Sequence, residues 1–305
     1  MDRMKHRKEA LKQRASKAGA NALTYFLLIC FGFVFLYPLM YMVITSLMST
    51  EDLINPTIAW IPTRIDFSNF QMVWSVMDYP ASFTTSVVFS LVCAVMQTIS
   101  CALMGYALAK FRVPFKMLWM ALLIFIFIIP SDVITIPRYI LLNELELIGS
   151  PLVMILPAAL GQGLKSSIFV LIFMQAFNAT PKSYDEAAQL DGAGRLRVFF
   201  SIALPMAIPS IVLCLLFSLV WYWNETAQVA LLIGGDFHTL PLQLDAFNSL
   251  FASSFSTSFG DTANRLNERY QFAATLLTII PLIAFYLVLQ KQFVKGIESS
   301  GTTGE

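Results

Sequence analysis

Long apolar runs separated by short polar connections dominate the chain, and six of them, 22–47, 83–109, 118–136, 152–177, 202–233 and 272–289, match one physical requirement. Crossing a bilayer core of about 30 Å as an α-helix takes roughly 20 mostly apolar residues, because lipid offers no partner for an unpaired backbone N–H or C=O. The pattern predicts an all-α, polytopic membrane protein with six transmembrane helices. The fourth and fifth runs contain prolines and polar residues, so a break or an interfacial turn is expected within them.

Composition agrees: 57% of the 305 residues are hydrophobic and 13% charged, which is too oily for an ordinary soluble domain. The first run follows a basic segment but is longer than a signal-peptide core and lacks a small-residue cleavage pattern after it, so it reads as a retained anchor. Lysines and arginines are distributed unevenly. The N-terminal segment, the connection around Lys110, the connection around Glu186 and the tail hold seven, three, three and two, whereas the opposite side holds only Arg64, Arg138, Arg265 and Arg269. The positive-inside bias puts both termini and the Glu186 connection in the cytoplasm. The resulting organisation is a basic cytoplasmic segment at 1–21, a six-helix domain at 22–292 with a cytoplasmic loop at 178–209, and a cytoplasmic tail at 293–305. A net charge of +1 gives no nucleic-acid signal. Cys30, Cys93, Cys101 and Cys214 fall inside apolar runs, without disulfide or metal-ligand spacing, and read as small packing residues.

The loop between the fourth and fifth runs has a readable shape. Thr180 can cap a helix, Pro181 suits its first position, and Asp185 and Glu186 lie near its positive end, so a short helix is expected up to about Leu190. Asp191-Gly192 supplies a stop, and a second helix is expected from about Ala193 into the next run. The set Glu186-Ala187-Ala188, Asp191-Gly192-Ala193, Leu204-Pro205 and Pro209 resembles the EAA loop of ABC importer permeases. Glu-Ala-Ala alone would denote nothing beyond a capped helix; the whole register on a cytoplasmic loop is what makes the resemblance specific.

The resemblance spans nearly the whole chain and points to the carbohydrate-importer, maltose-type branch. Trp60-Ile61-Pro62 with Phe67-Ser68-Asn69-Phe70, Ile136-Pro137-Arg138-Tyr139, Leu147-Ile148-Gly149-Ser150 and Trp223-Asn224-Glu225 are similar to that branch's segments. Thr226 stands where an aromatic is commoner, and Ser299 to Glu305 replaces the usual small-basic-glycine ending. The resemblance implies a type I ABC importer permease fold in a bacterial or archaeal inner membrane. It also implies a second homologous permease, two copies of a cytoplasmic ABC ATPase and an extracytoplasmic solute-binding protein, besides membrane lipid. By position, Glu186, Ala187, Ala188, Asp191, Gly192 and Ala193 would form the ATPase-docking element. No cofactor is expected on this chain, ATP and magnesium belonging to the ATPase; a Walker sequence is absent, and Gly161-Gln162-Gly163-Leu164-Lys165-Ser166-Ser167 has the wrong spacing for one.

Ionisable groups within a span normally face a cavity or a partner. Lys165, beside Gly161-Gln162-Gly163, and Glu225 are therefore candidates for the solute path, the alternative being a structural pair with each other or with a partner subunit. Trp221, Tyr222 and Trp223 offer aromatic faces to sugar rings or belong to the interfacial aromatic belt. Gln97, Asn224 and Gln228 either hydrogen-bond solute hydroxyls or join helices. Phe247, Phe251, Phe255 and Phe259 recur every four residues and would share a helix face. Two other solute or energy classes stay open, a non-sugar ABC permease and an ion-coupled secondary transporter in which Lys165 and Glu225 serve the ion. An enzyme is not expected: His6 and His238 lie outside the spans, and neither HExxH nor GxSxG occurs.

Overall fold

The computed structural model describes the backbone of residues 2–55, 57, 60–254 and 262–301, and the side chains of residues 17, 19–55, 57, 60–131, 133–181, 183–251 and 268–290. Helices make up the ordered elements among those residues, with no strand. In chain order they begin with α1 (Asp2–Ser46), α2 (Thr50–Ile54), α3 (Ser68–Val76), α4 (Tyr79–Lys110), α5 (Lys116–Ile128) and α6 (Ser131–Glu144). They continue with α7 (Leu152–Ala159), α8 (Ser166–Ala179), α9 (Lys182–Leu190), α10 (Arg195–Val198), a π turn at Phe199–Ala203, and α11 (Leu204–Met206). The remainder are α12 (Ile208–Asn224), α13 (Ala227–Leu232), α14 (Leu240–Asp245), α15 (Phe247–Ser254) and α16 (Thr262–Gly301).

Three stretches, Gly19–Ser46 of α1, α4, and Glu268–Gln290 of α16, are continuous helices long and apolar enough to cross a membrane. The other three predicted spans are interrupted. The third was expected to run unbroken over 118–136, but α5 ends at Ile128 and α6 leaves it at 105°. Pro130 is the cause: it has no N–H to donate and bars its predecessor from the helical region, and Ile129 is accordingly extended at φ −65°, ψ 126°. The fourth run is divided into α7 and α8 by a non-helical segment over 160–165, and the fifth bends by 75° at Ala207, between Pro205 and Pro209. Those two interruptions fall in the runs where the sequence predicts them.

The chain forms two compact units, 1–73 with 256–276 and 74–255 with 277–305. In the first, the end of α1 is tied to α3 by Asn69, whose fully buried amide donates to the carbonyls of Ser46 at 2.9 Å and Met48 at 3.0 Å. Asp52 closes the connection between α2 and α3, accepting from the Thr63 hydroxyl at 2.6 Å and the Thr63 N–H at 3.0 Å. Trp60 meets Tyr37 and Tyr41 edge-on, and Tyr41 meets Phe272 of α16.

In the second unit α4 is the central post against which α7, α8 and α12 pack. Its buried side is rich in small residues, among them Ser90, Ala94, Cys101 and Gly105, and small residues let membrane helices approach closely where apolar burial alone gives no drive to associate. Gly105 marks the nearest approach: a Cβ there would stand 2.5 Å from the Phe173 Cβ and 2.8 Å from the Met174 backbone nitrogen. Buried hydroxyls satisfy themselves along the helix, as when Ser86 and Ser90 donate to carbonyls four residues earlier. Ser86 Oγ also accepts the Leu240 N–H at 2.7 Å, joining α14 to α4. Of the predicted phenylalanine stripe, Phe247 and Phe251 share α15 with ring centroids 5.9 Å apart, whereas Phe255 and Phe259 lie outside the described residues.

Candidate functional site

The loop singled out by the sequence is an elbow of two helices. The first, α9, stops in a Schellman arrangement: Ala193 N–H donates to the Ala188 carbonyl at 2.9 Å and Gly192 N–H to the Gln189 carbonyl at 3.0 Å. Gly192 itself lies at φ +79°, where a Cβ is strained, although the space around it is open. The expected glycine stop is thus present. The expected cap differs. Thr180 does not cap α9, which has no side-chain cap; Thr180 closes α8 in extended backbone, and Pro181 stands one place before the first helical residue. The second helix begins at Arg195 rather than near Ala193, Gly194 being its extended N-terminal neighbour, and it passes through the π turn into α11.

The elbow is fastened to the end of α4 by a contact that no motif announced. Lys110 Nζ reaches Asp185 Oδ2 at 2.7 Å and the Thr180 carbonyl at 3.3 Å, with the ion-pair side chains only 13% and 16% exposed. A pair this buried loses hydration that its attraction only partly restores, so its value is geometric: it sets where α9 sits on α4. Arg195 lies over the Phe111 ring at 5.1 Å, holding the second arm of the elbow to the same helix end. A cleft of about 560 Å³ opens between them, lined by Tyr106, Arg112 and Gln189 besides the paired residues. On the outer surface Glu186, Ala187, Asp191 and Gly192 are exposed and Ala188 and Ala193 half-buried, while Leu190 and Leu196 are 89% and 75% exposed. An apolar surface of that kind beside a fixed elbow suits a docking face.

The candidate path residues are not gathered in one place. Lys165 is the last residue of the break between α7 and α8, left-handed at φ +50°, and its ammonium lies over the Trp221 ring at 4.9 Å. Trp221 in turn stacks on Phe169 and Phe217. Gln97 is wholly buried on α4 and donates to the Leu164 carbonyl at 2.7 Å. Trp223 is buried at 3% exposure, and Asn224 is exposed with its amide returned to the Val220 carbonyl at 2.8 Å. Glu225 ends α12 and accepts the Gln228 N–H at 2.9 Å. No Lys165–Glu225 ion pair exists among the described residues. Sequence reasoning missed Arg138 as a member of this neighbourhood: its guanidinium donates to Gln228 Oε1 at 3.2 Å.

With this geometry in view, residues 101–299 match the family described as Binding-protein-dependent transport system inner membrane component. The chain belongs to that family. The match includes α8, the elbow and α12, so the loop read from its register stands inside the family's own span. Relatives extend the likeness of this inner membrane component over nearly its whole length. The arabinooligosaccharides transport system permease protein AraQ of Halalkalibacterium halodurans is 26% identical, the alignment covering 90% of this chain and 93% of that one. The diacetylchitobiose uptake system permease protein DasC of Streptomyces coelicolor is 27% identical over 88% and 92%. The sn-glycerol-3-phosphate transport system permease protein UgpE of Pectobacterium atrosepticum is 23% identical over 93% and 98%. Among solved structures, the fold matches a chain of a bacterial ABC transporter involved in the import of the acidic polysaccharide alginate. The TM-score is 0.71 at 21% identity, covering 90% of this chain and 96% of that one.

Proposed function

We propose that this inner membrane component is the permease subunit of an ATP-driven importer of a carbohydrate, a sugar or an oligosaccharide, and that its elbow receives the movement of a separate cytoplasmic ATPase. The observation behind this reading is the elbow: a short helix closed by Gly192, presenting Glu186 and Ala187 outward and held to α4 by Lys110 and Asp185. A rigid, externally accessible segment joined to two span helices is what a push from another subunit needs. The relatives named for arabinooligosaccharides and diacetylchitobiose support the carbohydrate class. The relative named for sn-glycerol-3-phosphate supports a second reading, in which the solute is a polar non-sugar.

In this reading both termini and the elbow face the cytoplasm. A second homologous permease completes the path, two ATPase copies hold ATP and magnesium, and an extracytoplasmic binding protein delivers the solute. Lys165, displayed at a helix break over Trp221, is the residue of this chain best set to face the path, with Trp223, Asn224 and Glu225 at the end of α12 as further candidates. The sequence register of Ala188, Asp191 and Ala193 completes the docking element. Reconstitution tests the assembly. Uptake of the cognate carbohydrate into proteoliposomes is expected to require ATP, the ATPase and the binding protein, and to persist when proton and sodium gradients are collapsed. Uptake driven by an ion gradient without ATP would favour the secondary-transport alternative and defeat this one.

A further inference from the structure

The break between α7 and α8 is exposed at Leu160, Gln162 and Lys165 but brings Leu164, half-buried, against α4 and α12, where a backbone group left without a partner is costly. Side chains from two other helices supply the partners. Gln97 of α4 donates to the Leu164 carbonyl at 2.7 Å, and Tyr222 of α12 accepts the Leu164 N–H at 3.2 Å, so one residue's backbone is gripped at both ends. The grip is close-fitting: a Cβ on Gly163 would stand 2.3 Å from Tyr222 Oη and 2.4 Å from Gln97 Oε1. Gln97 is fully buried and Tyr222 is 2% exposed, so both grip Leu164 from within the helix packing. Two more side chains of α4 hold the flanks of the break, Ser100 donating to the Ala158 carbonyl at 2.7 Å and Cys101 to the Ser166 carbonyl at 3.6 Å.

The two gripping helices are also the two to which the elbow is joined. Lys110, 13 residues and about 20 Å along α4 from Gln97, holds Asp185 of the elbow. Tyr222 sits on α12, into which the elbow continues through the π turn and the 75° bend. Both routes end on Leu164, the residue before Lys165. Gln97 Oε1, Ser166 Oγ and Ser218 Oγ are buried here without partners, leaving hydrogen-bonding capacity that a second arrangement of the same helices can use.

We infer that Gln97 and Tyr222 are positioning residues, which grip the Leu164 backbone from α4 and α12 and so convert motion of the elbow into motion of Lys165. The inference rests on the proposed coupling role of the elbow. For Gln97 it takes the helix-joining alternative over the solute ligand.

Tyr222→Phe removes a single oxygen and Gln97→Met removes the amide at similar volume; each goes into the complete reconstituted importer, with Gly192→Pro in parallel. The readout is solute taken up per ATP hydrolysed, which a mere loss of folded protein leaves unchanged because it lowers both quantities alike. Each single variant is expected to lower the ratio about tenfold, the factor that about 1.4 kcal/mol gives. The double variant is expected to be no worse than the poorer single, since both act on one backbone unit. If Gln97→Met fails to assemble, Tyr222→Phe decides alone. An unchanged ratio in the clamp variants, or losses that multiply, together with a lowered ratio in Gly192→Pro, overturns the clamp and leaves the elbow's role intact. An unchanged ratio in all of them overturns both.

Discussion

At the scale of single residues, what matters here is where polar groups find partners in an oily chain. Asp52 is the clearest case outside the spans. The Thr63 hydroxyl, first among the causes, and then the Thr63 and Ser49 contacts outweigh the effect of burial and hold the Asp52 carboxyl below the usual carboxylate range. A carboxyl whose folded value is depressed stabilises the fold above its unfolded value of about 3.9 and loses that contribution as pH falls through the folded value. Amide exchange at Thr63, corrected for its intrinsic rate, is therefore expected to be flat above about pH 5 and to accelerate as pH falls below about 4. In Asp52→Asn the pH dependence should disappear; equal dependence in both proteins would remove Asp52 as its source. Residue identity foretold some roles and hid others. Gly192 announced its left-handed turn because few other residues sit there without strain. In sequence Gln97 stays open between solute ligand and helix-joining group, because nothing local reveals that its partner is the Leu164 carbonyl, 67 residues away.

Among elements, the interruptions in the apolar runs are as informative as the runs. Hydropathy marked all six runs, but it sums over a window and is blind to the effect of Pro130 on Ile129, which is why α6 turns away where a straight span was expected. The breaks in the fourth and fifth runs were legible from Gly161, Gly163, Pro205 and Pro209, residues whose backbone preferences act locally. The cap of α9 was misjudged for a tertiary reason. The Thr180 carbonyl is engaged by Lys110 and its backbone is extended at the end of α8, so the helix begins later. Gly192→Pro tests the elbow as an element. Proline fixes φ near −65° where +79° is needed and removes the N–H that donates to Gln189, so the turn cannot form as it stands. Membrane insertion should be retained and uptake per ATP should fall by more than about tenfold, a change corresponding to about 1.4 kcal/mol or more. Normal coupling in that variant would show that the turn is dispensable.

On the scale of the whole molecule, the family match makes the chain an inner membrane component of a transport system, and the proposed reading makes the elbow its working surface. The sequence supplied that surface because its residues are contiguous. It could not supply the Lys110–Asp185 fastening or the Leu164 clamp, which join helices distant in sequence, nor the solute, whose recognition is shared with other subunits in the proposed assembly. Docking of the elbow on the ATPase is the claim on which the rest depends, and a cysteine at its exposed face measures it directly. Ala187→Cys, in an otherwise cysteine-free importer that still transports, is expected to crosslink to the ATPase through a short bifunctional reagent, while Trp60→Cys in the same background does not. A complex that hydrolyses ATP and transports solute, yet gives no ATPase crosslink from Ala187→Cys and leaves that thiol as open to labelling as in the isolated subunit, would contradict the account.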